Sequence, residues 1–416
     1  MAKKRNQRNL KAVQAAKARK KRRNRRRRRA IVLAIEVIIL LALSATAFVM
    51  AKYDKFQRVE INSDDIKINS GVKKEGYTTV ALFGGDSREG ELEAGTRTDT
   101  IIVVALDHKE GVIRMASIYR DTLLQQDDNT YNKANHAYFS GGPKAAINML
   151  NKNLDLDIQD YATVDFKAMS DVVDMLGGIK IQVTDPEAKM LNKYVGETAK
   201  ASKKKAHKLN GGGVYTLDGP QAVTYARLRK LEGGDYKRTE RQRLVIKKLY
   251  EKGIKADIGT LNKIVDKIFP QVSTSFSLKE VLSLAASASS YKLGDSQGFP
   301  FEKTDGIIYR TAGDVVVPLG LAENVEELHK FLYPNETKTV SSTVQMISTE
   351  ISNLTNVVRP ANMNTEEETN TDNNSNSNNN SNSNNNNNSN KPVITNSTSD
   401  SGNSKSNNNT TGGGTE

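Results

Sequence analysis

Residues 30–51 form an apolar run of 22 residues with a single charge, Glu36. At 1.5 Å per residue, a helix of this length reaches about 33 Å, enough to cross the hydrocarbon core of a bilayer. Residues 1–29 carry 16 lysines and arginines and no acid, which predicts a cytoplasmic N-terminus by the positive-inside rule. A cleaved signal peptide is the alternative, because the Ala-Thr-Ala sequence at 45–47 could end one. We therefore expect a basic cytoplasmic arm at 1–29, a transmembrane helix at 30–51 and an extracellular remainder.

The charge balance separates this arm from the rest of the protein. The whole chain has a formal charge of +13, and the arm supplies 16 positive charges, so the remaining residues sum to −3. Cysteine is absent, which excludes a disulfide framework, a thiolate nucleophile and a zinc–thiolate site. The four histidines are far apart in sequence, which argues against a histidine-based metal cluster.

The C-terminal composition limits where a folded domain can end. Residues 363–416 are rich in Asn, Ser and Gly and almost free of apolar residues. They cannot bury enough surface to fold, so we expect a disordered tail. We expect residues 52–76 to form a juxtamembrane linker, residues 77–335 a folded domain and residues 336–362 a C-terminal helical segment.

Short apolar segments alternate with helical patterns in the predicted domain. The segments at 78–83, 100–106 and 112–118 are β-branched and bounded by Gly or polar residues, which predicts strands. The near-continuous apolar character of TIIVVAL at 100–106 predicts a strand covered on both faces. Further strands are predicted at 161–165, 179–183, 306–310 and 314–317, and helices at 144–153, 166–176, 246–255, 261–269, 278–291 and 324–332. Another helix is predicted after Asp218, its cap, with Pro220 in the first turn. This alternation predicts a layered α/β/α domain with a mixed central sheet.

Residues 225–242 hold a dense arginine cluster around a Gly-Gly-Asp turn. After the turn, Arg238, Arg241 and Gln242 share a helical stripe with Val245 and Leu249. Because an amphipathic helix buries its apolar side, these arginines should point into the domain, where each needs an anion. Either buried arginine–carboxylate pairs or a bound phosphate would satisfy them.

Four polar clusters that mix Arg with Asp interrupt the strand–helix pattern, at 84–88, 97–100, 119–122 and 225–242. Ligands of open α/β sheets bind where loops converge at strand ends. Arginines suit phosphate oxygens, and a pair of carboxylates suits a hard divalent ion. Asp86 and Asp99 are therefore candidate Mg²⁺ ligands. Each cluster alone could also be a plain turn or a local ion pair.

The sequence resembles the LytR-CpsA-Psr (LCP) proteins of Gram-positive cell envelopes over roughly residues 77–335. The motifs that carry the resemblance are GGDSR at 84–88, RTDT at 97–100, SIYRDT at 117–122, KANHAY at 133–138, VDF at 164–166, LGGI at 176–179, LDG at 217–219 and the arginine stretch that ends in Arg241-Gln242. The sequence departs from the family at Tyr119, often proline there, and at Ala134, often isoleucine.

The resemblance implies a membrane-anchored phosphotransferase. Such enzymes move a phosphorylated glycopolymer (teichoic acid, capsule or a related polysaccharide) from undecaprenyl pyrophosphate to peptidoglycan, with the polyprenyl tail in an apolar channel. Asp86 and Asp99 would bind Mg²⁺ (or Mn²⁺). Asp121 would accept the proton of the acceptor hydroxyl, or would orient Arg120 or Arg227. The residues implied in holding the phosphates are Arg88, Arg97, Arg120, Lys133, Arg227, Arg229, Arg238, Arg241 and Gln242, of which Arg120 and Arg227 are the catalytic candidates.

Three other functions remain as alternatives. A transcriptional regulator or nucleic-acid-binding membrane protein would use the basic run at 25–29. However, this run abuts the apolar segment and lacks interleaved aromatic residues, and binding to anionic lipid explains it as well. A polyprenyl-pyrophosphate hydrolase would use the same site without an acceptor. The third alternative is a surface protein that binds polymer without catalysis, which predicts that replacing Asp86 or Arg120 leaves function intact.

Overall fold

The computed structural model describes residues 50–51, 57–59, 61–72, 74–85, 92–336 and 339–360. The predicted basic arm, most of the predicted transmembrane helix and the predicted disordered tail lie outside the described residues. Within the described part of the chain, no helix combines the length and the apolar character that crossing a membrane requires.

The strands lie in one large sheet and three two-stranded sheets within the described residues. They are β1 (Gln57–Arg58), β2 (Tyr77–Gly85), β3 (Thr98–Asp107), β4 (Val112–Ile118), β5 (Leu123–Gln125), β6 (Tyr131–Lys133), β7 (Asp160–Asp165), β8 (Ile179–Val183), β9 (Gly213–Leu217), β10 (Val272–Thr274), β11 (Lys292–Phe299), β12 (Lys303–Tyr309) and β13 (Gly313–Pro318). The large sheet has the order β1-β10-β7-β2-β3-β4-β11, and the small sheets are β5-β6, β8-β9 and β12-β13.

The large sheet mixes both strand directions. β2 runs parallel to β7 and antiparallel to β3, and β4 runs antiparallel to β3 and parallel to β11. The predicted mixed α/β domain with a mixed central sheet is therefore confirmed. The strands predicted at 78–83, 100–106, 112–118, 161–165 and 179–183 are confirmed as β2, β3, β4, β7 and β8.

The helices of the described residues are interspersed with these strands along the chain. They are α1 (Ala134–Leu154), α2 (Phe166–Met175), α3 (Asp185–Ala201), α4 (Gly219–Arg227), α5 (Gly234–Gly253), α6 (Ile258–Ile268), α7 (Leu278–Ser287), α8 (Leu321–Leu332) and α9 (Ser342–Thr355). The predicted cap of α4 is confirmed, because the Asp218 side chain accepts a hydrogen bond from the backbone of Gln221 and the Gln221 side chain accepts one from the backbone of Asp218. The prediction missed α3 and began α1 ten residues late, at the kink that Gly141, Gly142 and Pro143 introduce.

β3 is covered on both faces, as its apolar sequence predicts. Ile101 and Val103 face the main core, which also contains residues of α1, α8 and α9. Ile102 and Val104 face a second core, against which Ile246 of α5 packs. Alternate residues of one strand thus stabilise two separate cores, which is the arrangement expected of a strand between two layers of helices.

The helix α9 packs into the main core. Val344, Ile347 and Ile351 are all at most 2% exposed and belong to this core. Ser341 caps the helix, and its backbone N–H donates to the Asp155 carboxylate at 2.6 Å. The C-terminal segment therefore contributes to the core of the domain.

We predict that Ile351→Ala lowers the free energy of unfolding by about 2 to 5 kcal/mol, because it removes buried apolar contacts and leaves a cavity. Met346→Ala on the exposed side of the same helix, where the side chain is 64% exposed, should change it by less than about 0.5 kcal/mol. Urea denaturation of the full chain measures both. Equal effects would mean that α9 does not pack as described.

A second prediction concerns His329, whose Nε2 donates to the Leu154 carbonyl and whose Nδ1 faces the Lys74 ammonium at 3.5 Å. Burial and the charge of Lys74 lower the pKa of His329 to about 4. The unfolded chain then binds more protons between pH 6.5 and 4, so the stability from this residue, about 3 kcal/mol, is present above pH 6.5 and is lost as the pH falls through this window. Unfolding measured against pH should show this slope, and His329→Gln should flatten it; an unchanged slope would contradict the assignment.

Candidate active site

Charged side chains from five parts of the chain meet beside the ends of β3 and β4. Asp99 comes from β3, Arg120 and Asp121 from the turn after β4, and Lys133 from the end of β6. The remaining members come from the loop after α4 and from the first turns of α5. This charge network consists of Asp99, Arg120, Asp121, Lys133, Arg229, Asp235 and Arg238. Its four cations exceed its three carboxylates by one charge.

Arg120 connects the carboxylates of the charge network. Its Nη1 lies 2.5 Å from Asp99 Oδ1, and its Nε lies 3.3 Å from Asp121 Oδ2 and 3.8 Å from Asp235 Oδ1. Asp121 in turn lies 3.1 Å from the Lys133 ammonium. Burial opposes the charge of Arg120, but the three carboxylates outweigh it and raise the pKa of the guanidinium above its ordinary value.

A β-bulge positions Asp99. Thr100 pairs with Gly84 and Thr98 pairs with Gly85, so Asp99 is an extra residue on β3. A bulge leaves the extra residue without a ladder partner and re-aims its side chain. The Asp99 carbonyl accepts a hydrogen bond from Arg238 at 3.1 Å. Burial opposes the charge of Asp99, yet its arginine neighbours hold the pKa of the carboxyl below its ordinary value.

Arg238 is the most deeply buried cation of the charge network, at 2% exposure. Its Nη2 donates to Asp235 Oδ2 at 2.9 Å as well as to the Asp99 carbonyl. Its Nε and Nη1 are buried and have no hydrogen-bond partner among the described residues. Burial lowers the pKa of Arg238 to about 10, so the side chain is still charged at neutral pH. A buried cation with two free donors can bind the oxygens of an anion.

An apolar cavity of about 370 Å³ lies between the sheet and the helices α2, α4 and α5. Its lining includes Leu82, Gly84, Thr100, Ile102, Val164, Phe166, Met169, Val223, Gln242, Val245, Ile246 and Leu249. Gly84 is required there, because a Cβ at this position would lie 2.9 Å from Thr100 Cβ. Gln242 follows Arg238 by one turn of α5, and its buried Oε1 has no partner among the described residues. The same helix thus carries the charge network at its start and lines the cavity further along.

The structure brings together six of the twelve predicted site residues in the charge network, and four others lie elsewhere among the described residues. Gln242 lines the cavity, and Arg227 is exposed, with its guanidinium 4.4 Å from the centre of the Phe166 ring. The Arg97 guanidinium lies 5.8 Å from the Phe139 ring. Asp86 and Arg88 lie outside the described residues.

Arg241 makes a different set of contacts. Its Nε donates to Glu187 of α3 at 2.7 Å, and its Nη1 donates to the Leu228 carbonyl at 3.3 Å. The side chains of Arg241 and Glu187 are 9% and 12% exposed. Arg241 therefore forms a buried arginine–carboxylate pair, which was the alternative to a bound phosphate. This pair joins α5 to α3.

Asp235 is a central residue of the candidate site, although the sequence pattern predicted only a turn there. It contacts Arg229, Arg238 and Arg120. A signal for Asp235 was available in the sequence, because Asp235 and Arg238 are three positions apart on a helix and therefore face the same side. The contact with Arg120 is between residues 115 positions apart and has no local signal in the sequence.

The carboxylates give a partial fit to a divalent metal ion. Carboxylate oxygens suit Mg²⁺, and Asp99 offers them close to the free donors of Arg238. However, Asp99 Oδ1 already binds Arg120. Among the described residues, no group of three or more His, Asp or Glu side chains could hold a metal ion. A metal site here would need Asp86 or oxygens of the substrate.

Comparison with known proteins gives a family and several named relatives. The sequence model of the LytR_cpsA_psr family matches residues 39–309. A polyisoprenyl-teichoic acid–peptidoglycan teichoic acid transferase, TagU of Halalkalibacterium halodurans, is 30% identical over 203 residues, which is 48% of this chain and 61% of the relative. The transferase of the same description, TagT of Bacillus subtilis, is 30% identical over 237 residues, or 56% of this chain and 70% of the relative. The chain thus spans less than two thirds of the length of the first relative.

A solved structure supports the fold. The crystal structure of a transcriptional regulator from Enterococcus faecalis matches with a TM-score of 0.53 and 24% sequence identity. The match covers 70% of this chain and 99% of that chain. At this level of identity the likeness establishes a shared fold and carries no function.

The buried pair of Arg241 and Glu187 gives a prediction. Glu187→Gln keeps an oxygen that can accept the capping hydrogen bond at the start of α3 but removes the charge beside Arg241. Because the arginine is then buried without a counter-ion, we expect the free energy of unfolding to fall by about 3 kcal/mol in denaturant titration. The matched control is Glu232→Gln, because Glu232 lines the same surface pocket as Glu187 and Arg241 but is exposed. Equal stability of Glu187→Gln and wild type would remove Arg241 from this structural role.

Proposed function

Since the chain belongs to the LytR-CpsA-Psr family, we propose that it is a membrane-anchored phosphotransferase that transfers a phosphorylated glycopolymer from undecaprenyl pyrophosphate to peptidoglycan. The named relatives, which are teichoic acid–peptidoglycan transferases, support this reaction class. The observation that carries the proposal is the position of Arg238, which has two free buried donors and lies one turn of α5 from an apolar cavity. This arrangement suits a ligand with an anionic head and an apolar chain.

The apolar part of the lipid carrier is the proposed occupant of the cavity. Val245, Ile246 and Leu249 of α5 and Leu82 of the sheet provide an apolar lining, and burial of a hydrocarbon chain there removes its surface from water. A transmembrane helix at 30–51 would keep the domain at the outer face of the membrane, where such a lipid is embedded. Nucleic acid is not a proposed partner.

The charge network is the proposed site of the pyrophosphate. Arg238 and Arg120 would bind its oxygens and stabilise the charge that develops in the transition state. Asp99, together with Asp86 and the oxygens of the substrate, would hold Mg²⁺ (or Mn²⁺), which would supply further charge neutralisation. Arg229, the exposed arginine of the charge network, would also bind the pyrophosphate. Arg227 is exposed and packs on Phe166 of the cavity lining, and it would contact the phosphorylated polymer.

The proposed reaction needs no external energy source. The oxygen of an acceptor sugar hydroxyl attacks the phosphorus that carries the glycopolymer, and a new P–O bond forms. The bond from this phosphorus to the bridging oxygen breaks, undecaprenyl phosphate leaves, and the hydroxyl proton goes to a base. Asp121 is one candidate for this base. Its contacts with Arg120 and Lys133 favour the alternative role, in which it orients Arg120.

Product analysis tests this proposal. The purified full chain in detergent would be mixed with a short undecaprenyl-pyrophosphate-linked glycan, Mg²⁺ and peptidoglycan oligomers, and the products followed by mass spectrometry. We expect a covalent glycan–phosphate–peptidoglycan adduct, formed about 100-fold or more slowly by Arg120→Ala and by Arg238→Ala. Lys237→Ala is the matched control, because Lys237 lies on the same helix and is 55% exposed.

Two results would contradict the proposed transferase. Free glycan phosphate without an adduct would identify a polyprenyl-pyrophosphate hydrolase that uses the same residues. No turnover of any kind, with the lipid-linked glycan still bound, would identify a binding protein. Repeating the assay with a chelator tests the proposed Mg²⁺ separately, and full activity without divalent ions would remove the metal from the proposal.

A further inference from the structure

Asp235 is shared by three arginines. One of its oxygens, Oδ2, accepts a hydrogen bond from Arg238 Nη2 at 2.9 Å. The other, Oδ1, lies 3.1 Å from Arg229 Nε and 3.8 Å from Arg120 Nε. No other carboxylate of the charge network contacts three of its cations. Asp235 therefore occupies the electrostatic centre of the candidate active site.

The position of Asp235 is one that an external anion would favour. It lies in the first turn of α5, where free backbone N–H groups and the helix dipole attract negative charge. The guanidinium groups of Arg120, Arg229 and Arg238 converge on the same point. A phosphate that binds these three arginines would meet the Asp235 carboxylate, and like charges at this distance repel each other strongly.

The contacts of Asp235 allow it to leave without disrupting Arg238. Asp235 Oδ1 is buried and makes no hydrogen bond with the described residues. This oxygen is therefore held by charge alone, and Oδ2 makes the one hydrogen bond of the carboxylate to Arg238. Arg238 keeps a second anchor, the Asp99 carbonyl. The turn before Asp235 contains Gly233 and Gly234, both with positive φ, and glycine gives this turn conformational freedom that other residues lack.

We propose that Asp235 is a substitute anion that aligns Arg120, Arg229 and Arg238 in the free protein and is displaced by the pyrophosphate of the substrate. This inference rests on the proposed function of the charge network as a pyrophosphate site. Because displacing the carboxylate costs binding free energy, Asp235 weakens the affinity of the site for every anion. Weakly bound anions are therefore kept out, and release of the phosphorylated lipid product is favoured.

The direction of a change in affinity tests the proposal. Inorganic pyrophosphate would be titrated calorimetrically into the full-length wild type, Asp235→Asn and Glu240→Gln. We expect Asp235→Asn to bind pyrophosphate about tenfold or more tightly than wild type, because the competing charge is gone. Glu240→Gln makes the same change of charge on the same helix, but Glu240 is 51% exposed and paired with Lys237. Its affinity should stay within about twofold of wild type.

Equal or weaker binding by Asp235→Asn would overturn the proposal and make Asp235 a structural brace of the arginines. Hydrogen exchange of the wild type provides a second measurement that does not depend on the folding of the variant. Displacement of Asp235 moves the turn at 233–234 and should break the hydrogen bond from the Gly234 N–H to the Leu231 carbonyl, so we expect the Gly234 amide to exchange faster when pyrophosphate binds. Slower or unchanged exchange of this amide would also overturn the proposal.

The two proposals fail in distinguishable ways. Absence of the glycan–phosphate–peptidoglycan adduct with the wild type would contradict the phosphotransferase, whatever the affinities for pyrophosphate. Adduct formation by the wild type together with weaker binding of pyrophosphate by Asp235→Asn would contradict only the substitute anion.

Discussion

The fold around the candidate active site requires that several arginine guanidinium groups remain charged although they are largely buried. A buried cation is stable only if anions or dipoles compensate it, and here Asp99, Asp121 and Asp235 do so from three separate segments. Arg120 and Arg238 therefore tie β3, the turn after β4 and α5 to each other. Because cations outnumber carboxylates in the charge network, and Arg238 retains free donors, the compensation is incomplete. The same interaction that organises these segments also leaves capacity for an anion.

Helix α5 connects this polar region to the apolar interior. Its first turns carry Asp235 and Arg238, and one turn later Gln242 and Val245 face the cavity. A single rigid element thus sets the separation between a site for charge and a site for hydrocarbon. The cavity is bounded on its other side by β2 and β3, where Gly84 and Thr100 approach closely. The packing of helices on the sheet therefore determines the geometry of the candidate site. Loops contribute Arg120, Asp121 and Arg229 to it.

Local patterns in the sequence predicted the elements that local physics determines. The β-branched strands β2 to β4, the capping residue Asp218 and the inward direction of Arg238 all follow from periodicity and hydrogen-bonding capacity within a few residues. Patterns of this range cannot identify partners that are distant in sequence. The pairing of Arg241 with Glu187 and the contact of Asp235 with Arg120 arise only when the layers pack. For the same reason, a C-terminal helical segment at 336–362 was predicted but its place in the main core was not.

The β-bulge at Asp99 has a consequence for how this protein can change in evolution. Successive side chains of a strand point to opposite faces of the sheet. Adding or removing one residue therefore moves every side chain beyond that point to the other face. Loss of a single residue at this point would straighten β3, return the Asp99 carbonyl to the ladder and deprive Arg238 of its backbone acceptor. Many substitutions along β3 would alter only the volume of a core. The length of the chain at the bulge is therefore under tighter constraint than the identity of most residues around it.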